Sequence, residues 1–399
     1  MSWEMVKLSE VSSFIRNGLS IKQDSSLSGV PITRIETISD RTVNLEKCGY
    51  ADLKPTDNLD YKLEKGDILI SHINSPKHLG KSAQFNGEEH LIHGMNLLCL
   101  RPSDKVDARY LYLAINSSHF LNQLPNISNK SVNQASFKVS DFKSLNVHLP
   151  PLPEQQRIAD ILDKAEAINQ KREQALALCD EFLRATFLDM FGDPVSNPKG
   201  WLYEKLDEVI LTIKAGKSLA GDSKPANENE LGVLKVSAVS YGFFQPQENK
   251  KIEKLVDREK LIFPKKGDFL FSRANTRELV GATCIVQDDF GHVFLPDKLW
   301  LIDVDSEKVS AYYLHFLMLE PKFKDKLTSQ ATGTSGSMLN ISQKKFVNTI
   351  APIPPIELQQ KFSEIVEKVN SIKARIQHAQ ELPLFDALSQ QAFKGELTQ

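Results

Sequence analysis

The feature that most limits what this chain can fold into is its self-similarity: moved by about 200 residues, one half falls on the other in order. Trp3 and Lys7-Leu8-Ser9-Glu10-Val11 meet Trp201 and Lys205-Leu206-Asp207-Glu208-Val209, and Arg16-Asn17-Gly18 meets Lys214-Ala215-Gly216, at an offset of 198. Lys65-Gly66-Asp67-Ile68-Leu69-Ile70-Ser71 meets Lys266-Gly267-Asp268-Phe269-Leu270-Phe271-Ser272 at 201, each a turn followed by an apolar run suited to a buried strand. Leu149-Pro150-Pro151-Leu152 with Gln155-Gln156-Arg157-Ile158 meets Ile353-Pro354-Pro355-Ile356 with Gln359-Gln360-Lys361-Phe362 at 204. Preserved order with a drifting offset is what duplication followed by small loop insertions leaves.

Each half therefore reads as a globular part of mixed strand and helix signals, a proline-rich stop and a long helix. The expected class is α+β, with domains at 1–149 and 193–352 and helical spacers at 150–192 and 353–399. The first helix is expected from about Pro153 to Phe191, because proline is tolerated in a first turn and Gly192 followed by Pro194 ends the pattern. Ile158, Ile161, Leu162, Ala165 and Ile168 recur at three- and four-residue steps, a stripe that calls for a partner. Phe362, Ile365, Val366, Val369 and Ile372 repeat the spacing, so the two helices are expected to pair antiparallel as a coiled coil. After Pro383, Leu384, Phe385, Leu388 and Phe393 echo Leu178, Cys179, Phe182 and Phe187.

Composition narrows the function classes. With 41% hydrophobic and 25% charged residues the chain is globular. It lacks an apolar run of the ~18–20 residues a span needs and a signal-peptide pattern, which predicts a cytoplasmic protein with no membrane partner. Cys48, Cys99, Cys179 and Cys284 are too scattered for a metal knuckle or a disulfide framework. The net charge is −2, and residues 1–150 and 200–350 each come to about +1, so any surface for a polyanion is local.

On these residues, above all Pro150-Pro151-Leu152-Pro153-Glu154-Gln155-Gln156, the two Gly-Asp strands and the tandem layout, the chain resembles the specificity subunit of type I restriction-modification enzymes over essentially its whole length. The resemblance implies two target recognition domains, each reading half of a split, asymmetric double-stranded DNA site. It also implies that the helices set the gap and dock two modification subunits, with restriction and motor subunits completing the assembly. Adenine-N6 methylation with S-adenosylmethionine, and ATP- and Mg-dependent restriction, would belong to those partners; this chain would bind no cofactor and catalyse nothing. The second proline motif departs from the first, with Ile356-Glu357-Leu358 where Leu152-Pro153-Glu154 stands, which leaves docking there open.

The residues agree with a chain free of catalytic chemistry. There is no Asp/Asn-Pro-Pro-Tyr/Phe motif, and the glycine-rich run from Thr332 to Ser337 lacks the Gly-Lys-Ser/Thr ending of a phosphate loop. A Mg²⁺ nuclease can be sketched from Asp297, Glu320 and Lys322, but Pro321 ends a helical pattern where the motif needs a strand. His90 and His93 lack a third ligand. What remains is donor-rich loops at matched positions: His72, Asn74, Lys77 and His78 against Arg273, Asn275, Thr276 and Arg277; Arg34 and Thr37 against Lys235; and Lys130, Ser131 and Asn133 against Ser335 and Ser337. Arginine suits guanine, asparagine adenine and lysine phosphate. The competing readings are solvated loops, a Mg-dependent nuclease, or a protein-only scaffold without DNA affinity.

Overall fold

The computed structural model describes residues 3–23, 29–130, 134–222, 224–253, 256–333, 338–378 and 384–394. They divide into two compact units, Met1–Glu173 with His378–Gln399, and Gln174–Gln377.

In the first unit a four-stranded antiparallel sheet runs in the order Ser12–Asn17, Leu98–Pro102, Ile68–Ile70, Ser82–Gln84. The second repeats it with Ile210–Ala215, Leu299–Val304, Phe269–Ser272 and Thr283–Ile285. Even the irregularity is kept: the first strand shifts register at Ser12/Phe14 in one and at Ile210/Thr212 in the other. The apolar runs are uninterrupted because both faces of the sheet are covered. Ile68, Ile70, Leu98 and Leu100 face one core, whereas Leu69, Ala83 and Cys99 face another. Phe269, Phe271, Trp300 and Ile302 divide from Leu270, Cys284 and Leu299 in the same way.

The Gly-Asp motif that precedes each central strand is a turn closed by its own aspartate. Gly66 and Gly267 sit at φ +98° and +88°, a region that disfavours a Cβ. Asp67 Oδ2 accepts from the Glu64 amide at 2.8 Å and Asp268 Oδ2 from the Lys265 amide at 2.7 Å. The copies then diverge. Asp67 is held by Arg101 through two bonds of 2.8 Å, while burial, with Asp289 and Asp303 adding repulsion, raises the pKa of Asp268.

The central helix runs Leu152–Phe191, 40 residues or about 60 Å at 1.5 Å per residue, and Gly192 at φ +77° stops it. It is the expected central linker, and residues near each of its ends enter a core. Ile158, Ala159 and Leu162 pack in the first unit with Ala392 and Phe393 of the terminal helix Leu384–Lys394. Leu183, Phe187 and Phe191 pack in the second with Phe362, Val366 and Val369 of the helix Ile356–His378. Phe187 and Phe362 lie 5.6 Å apart edge to face, and Lys373 pairs with Asp180 at 2.6 Å, so the run is antiparallel within that unit.

This changes the expected partners. Ile158 and Leu162 belong to the core of the first unit, whereas Phe362, Val366 and Val369, with Ile365 packed against them, belong to that of the second. Ile168 and Ile372, at 42% and 50% exposure, are outside both cores. Cys48, Cys99 and Cys284 are buried free thiols and Cys179 is half-buried. No helix among the described residues is long and apolar enough to cross a membrane.

Candidate nucleic-acid interface

The donor-rich loops are one loop built twice. In the first unit Ile73–Asn74 pairs with Ala135–Ser136, which pairs in turn with Asn129–Lys130. Asn74 Oδ1 accepts from the Ser75 amide at 2.8 Å, and the loop closes at Gly80, whose amide donates to Ser71 O at 2.8 Å. In the second unit Ala274–Asn275 pairs with Leu339–Asn340, Asn275 Oδ1 accepts from the Thr276 amide at 2.9 Å, and the Gly281 amide donates to Ser272 O at 2.8 Å. An asparagine that caps its own turn is why both copies carry one there.

That use corrects several expected base contacts. Adenine recognition by asparagine needs both the oxygen and the nitrogen of the amide. Asn275 is 9% exposed, with its oxygen committed to the turn and its nitrogen 3.4 Å from Ser240 Oγ. Asn74 is half-buried and likewise engaged, its nitrogen donating to Ser71 Oγ at 3.0 Å. His72 is buried against Phe137, and burial lowers its pKa, so it offers no cation to a phosphate. Thr37 is fully buried; its hydroxyl accepts from the Arg34 amide at 2.8 Å and donates to Lys47 O at 3.2 Å, shaping the turn rather than facing a ligand.

Other cations are partly committed. Arg34 donates through Nε to Gln23 Oε1 at 2.8 Å, Lys235 lies 3.6 Å from Glu248, and Arg273 donates to Asp297 O at 2.9 Å and Asn340 Oδ1 at 3.2 Å. Lys77, His78 and Arg277 are exposed and Thr276 is half-buried. Ser131, Asn133, Ser335 and Ser337 lie outside the described residues, as does the side chain of Lys130; the stems of their loops, Asn129–Lys130 and the Thr332↔Asn340 bridge, stand beside the asparagine turns.

One further pair of loops escaped the sequence reading. It follows the short turns Ile35–Ile38 and Val236–Val239, and is closed by the Asn44 amide on Thr37 O and the Gln245 amide on Ala238 O, both at 2.9 Å. At its tip Arg41 and Gly242 occupy equivalent left-handed positions, φ +59° and +82°. The signal available was the run Tyr241-Gly242-Phe243-Phe244.

The geometry removes the nuclease sketch. Glu320 bonds Arg184 at 3.2 Å, Lys322 pairs with Asp193 at 2.6 Å, and Asp297 is engaged by Ser218 and Arg273, so the three do not converge. His93 is buried, bonded to Leu97 O at 2.9 Å and lowered by burial to about 4. No cluster of metal-ligating side chains occurs among the described residues.

The proline-glutamine motif, in contrast, is a joint. Gln155 accepts from the Asp107 amide at 2.7 Å and donates to Pro150 O at 2.8 Å and Lys105 O at 3.4 Å. Gln359 repeats this with the Ser310 amide at 2.9 Å, Pro354 O at 2.7 Å and Lys308 O at 3.2 Å. Each glutamine, 1% and 0% exposed, ties the start of a long helix to the start of the head's own helix, Ala108–Asn116 or Ala311–Leu319. The first glutamine of the motif is therefore not available for docking.

Comparison with known proteins gives this architecture its relatives. The family model for the type I restriction modification DNA specificity domain matches residues 1–178 and again 198–382. A specificity subunit assigned to the type I restriction enzyme MjaX of Methanocaldococcus jannaschii is 29% identical over 93% of this chain and 87% of its own length. The EcoKI specificity subunit of Escherichia coli is 25% identical over 99% and 89%. Among solved structures, the S subunit of a type I system from M. genitalium superposes with a TM-score of 0.59 at 14% identity, covering 98% of this chain and 96% of that one, which speaks for the fold.

Proposed function

Since the chain belongs to the type I restriction-modification DNA specificity family, as its non-catalytic, sequence-reading subunit, we propose that its two heads read the two halves of one split, asymmetric site in duplex DNA. The observation that carries this is the loop pair built twice on one backbone plan with different side chains: two readers of different text need the same frame and different edges. Half-sites read by such paired heads would lie roughly one helical turn apart.

On this reading Lys77 and His78 in the first head and Arg277 in the second are the leading contacts, with Arg34, Lys235 and Arg273 positioned behind them. The central helix sets the unread gap, and two modification subunits dock on the helices, where Leu178 and Phe182 are exposed at 62% and 53%. S-adenosylmethionine, ATP and Mg²⁺ would be held by partner subunits in the cytoplasm.

The test is to express the system in a host and sequence its methylated adenines. A bipartite, non-palindromic motif is expected, and a heptad inserted near residues 170–176 should alter the gap and leave the bases unchanged. A continuous or palindromic motif, or an unchanged gap, would sink the proposal.

A further inference from the structure

The tip Tyr241-Gly242-Phe243 presents two aromatic rings to solvent, 64% and 54% exposed, with centroids 6.5 Å apart. Large apolar groups left exposed together generally mark a contact. The loop is fixed from behind: Phe244 packs on Phe290 at 5.0 Å, the Gln245 amide closes on Ala238 O, and Ser240 Oγ meets Asn275 of the neighbouring asparagine turn. The asparagine turn that Ser240 meets carries Arg277, exposed, followed by Glu278, whose carbonyl accepts from Lys324 Nζ at 2.8 Å.

The first head carries the same backbone and opposite chemistry. Asp40 pairs there with Lys47 at 2.6 Å and Arg41 donates to Asn116 at 2.5 Å, so its two charged tip side chains are engaged internally. The rings of the second head have no such use. In the major groove the apolar feature of a base pair is the thymine methyl, and aromatic side chains contact it. A half-site that contains a methylatable adenine contains a thymine on one strand.

We propose that Tyr241 and Phe243 are specificity-determining residues that pack on thymine methyl groups of the half-site read by the second head. This rests on the function proposed above and adds the chemistry of one contact. The test uses the chain assembled with its modification subunits and duplexes in which each thymine of that half-site is replaced in turn by deoxyuridine, which lacks only the methyl. The parent complex should lose about fourfold in affinity at one or two positions, the worth of a buried methyl. The double variant Y241A/F243A should bind the thymine duplex roughly tenfold or more weakly, be indifferent to deoxyuridine, and keep the salt dependence of binding, since it removes no phosphate contact.

Both residues are exposed, so the variant should melt with the parent. Undiminished deoxyuridine sensitivity in the variant, or unchanged affinity, would overturn the proposal. So would loss of assembly with the modification subunits at intact DNA affinity, which would make the tip a protein contact. Absence of sequence-specific binding by the parent complex would instead remove the underlying function.

Discussion

Replacing Gln359 with leucine should unfasten the second head from its helix. The side chain is fully buried and makes three bonds, to the Ser310 amide at 2.9 Å, Pro354 O at 2.7 Å and Lys308 O at 3.2 Å. Leucine fills similar space but bonds none of them, so about 1 kcal/mol is lost per bond, and the buried Pro354 carbonyl adds a further ~1–3 kcal/mol for want of a partner. The expected cost is about 4–6 kcal/mol. Urea unfolding followed by tryptophan fluorescence reads it, because Trp201 and Trp300 lie in the second unit and Trp3 in the first. The transition reported by the second unit should move alone. Gln359→Glu, whose carboxylate cannot donate to the two carbonyls, should be destabilised at pH 7 and partly recover toward pH 4, where the protonated acid can donate. A change below ~1 kcal/mol for the leucine variant would refute the assignment of the motif as a joint.

Arg277→Ala should weaken binding by ~1–3 kcal/mol at one half-site and leave the other unchanged, measured with duplexes altered in one half at a time; an equal loss at both refutes the assignment. Asp67→Asn, which breaks the two-bond pair with Arg101, should cost about 2 kcal/mol, discounted because Arg101 is partly exposed, whereas Asp268→Asn should be nearly neutral because burial already disfavours that charge. Equal effects in chemical denaturation would contradict the divergence of the two turns. His93 and His315, one in each unit, are both lowered by burial to about 4. The unfolded chain therefore binds protons first: stability is full above about pH 6.5 and falls as pH drops toward 4, by about 3 kcal/mol per histidine. His315→Gln should flatten that decline in the second unit, and an unaltered slope would count against it.

The α+β class, the duplication and the ends of the central helix were legible because proline, glycine and apolar periodicity are local signals. That the two long helices run antiparallel was legible too, but which residues of them meet was not. A stripe such as Ile158, Leu162 and Ala165 states that a face is buried without stating against what, and the antiparallel run gives those residues Phe393 rather than Phe362 as a core companion. Several of the expected contact residues were misplaced for a related reason. Thr37, His72 and Asn275 have the right functional groups for DNA, but the fold consumes those groups in turns and cores, and only coordinates show which donors are already engaged. Gln155 and Gln359 stood out as a motif while their role as backbone clamps depended on residues about 50 positions earlier.

The main-chain bonds that close the tips, Asn44 to Thr37 and Gln245 to Ala238, hold each loop from its ends, which leaves Tyr241 and Phe243 outside every core. A mutation at positions 241 or 243 alters an exposed edge without touching a core contact, so vocabulary can drift there while the grammar of the fold stands. Positions 41 and 242 are the exception: both are left-handed, so arginine at 41 carries a strain of about 1 kcal/mol that glycine at 242 avoids, and any other residue at 242 would meet it too.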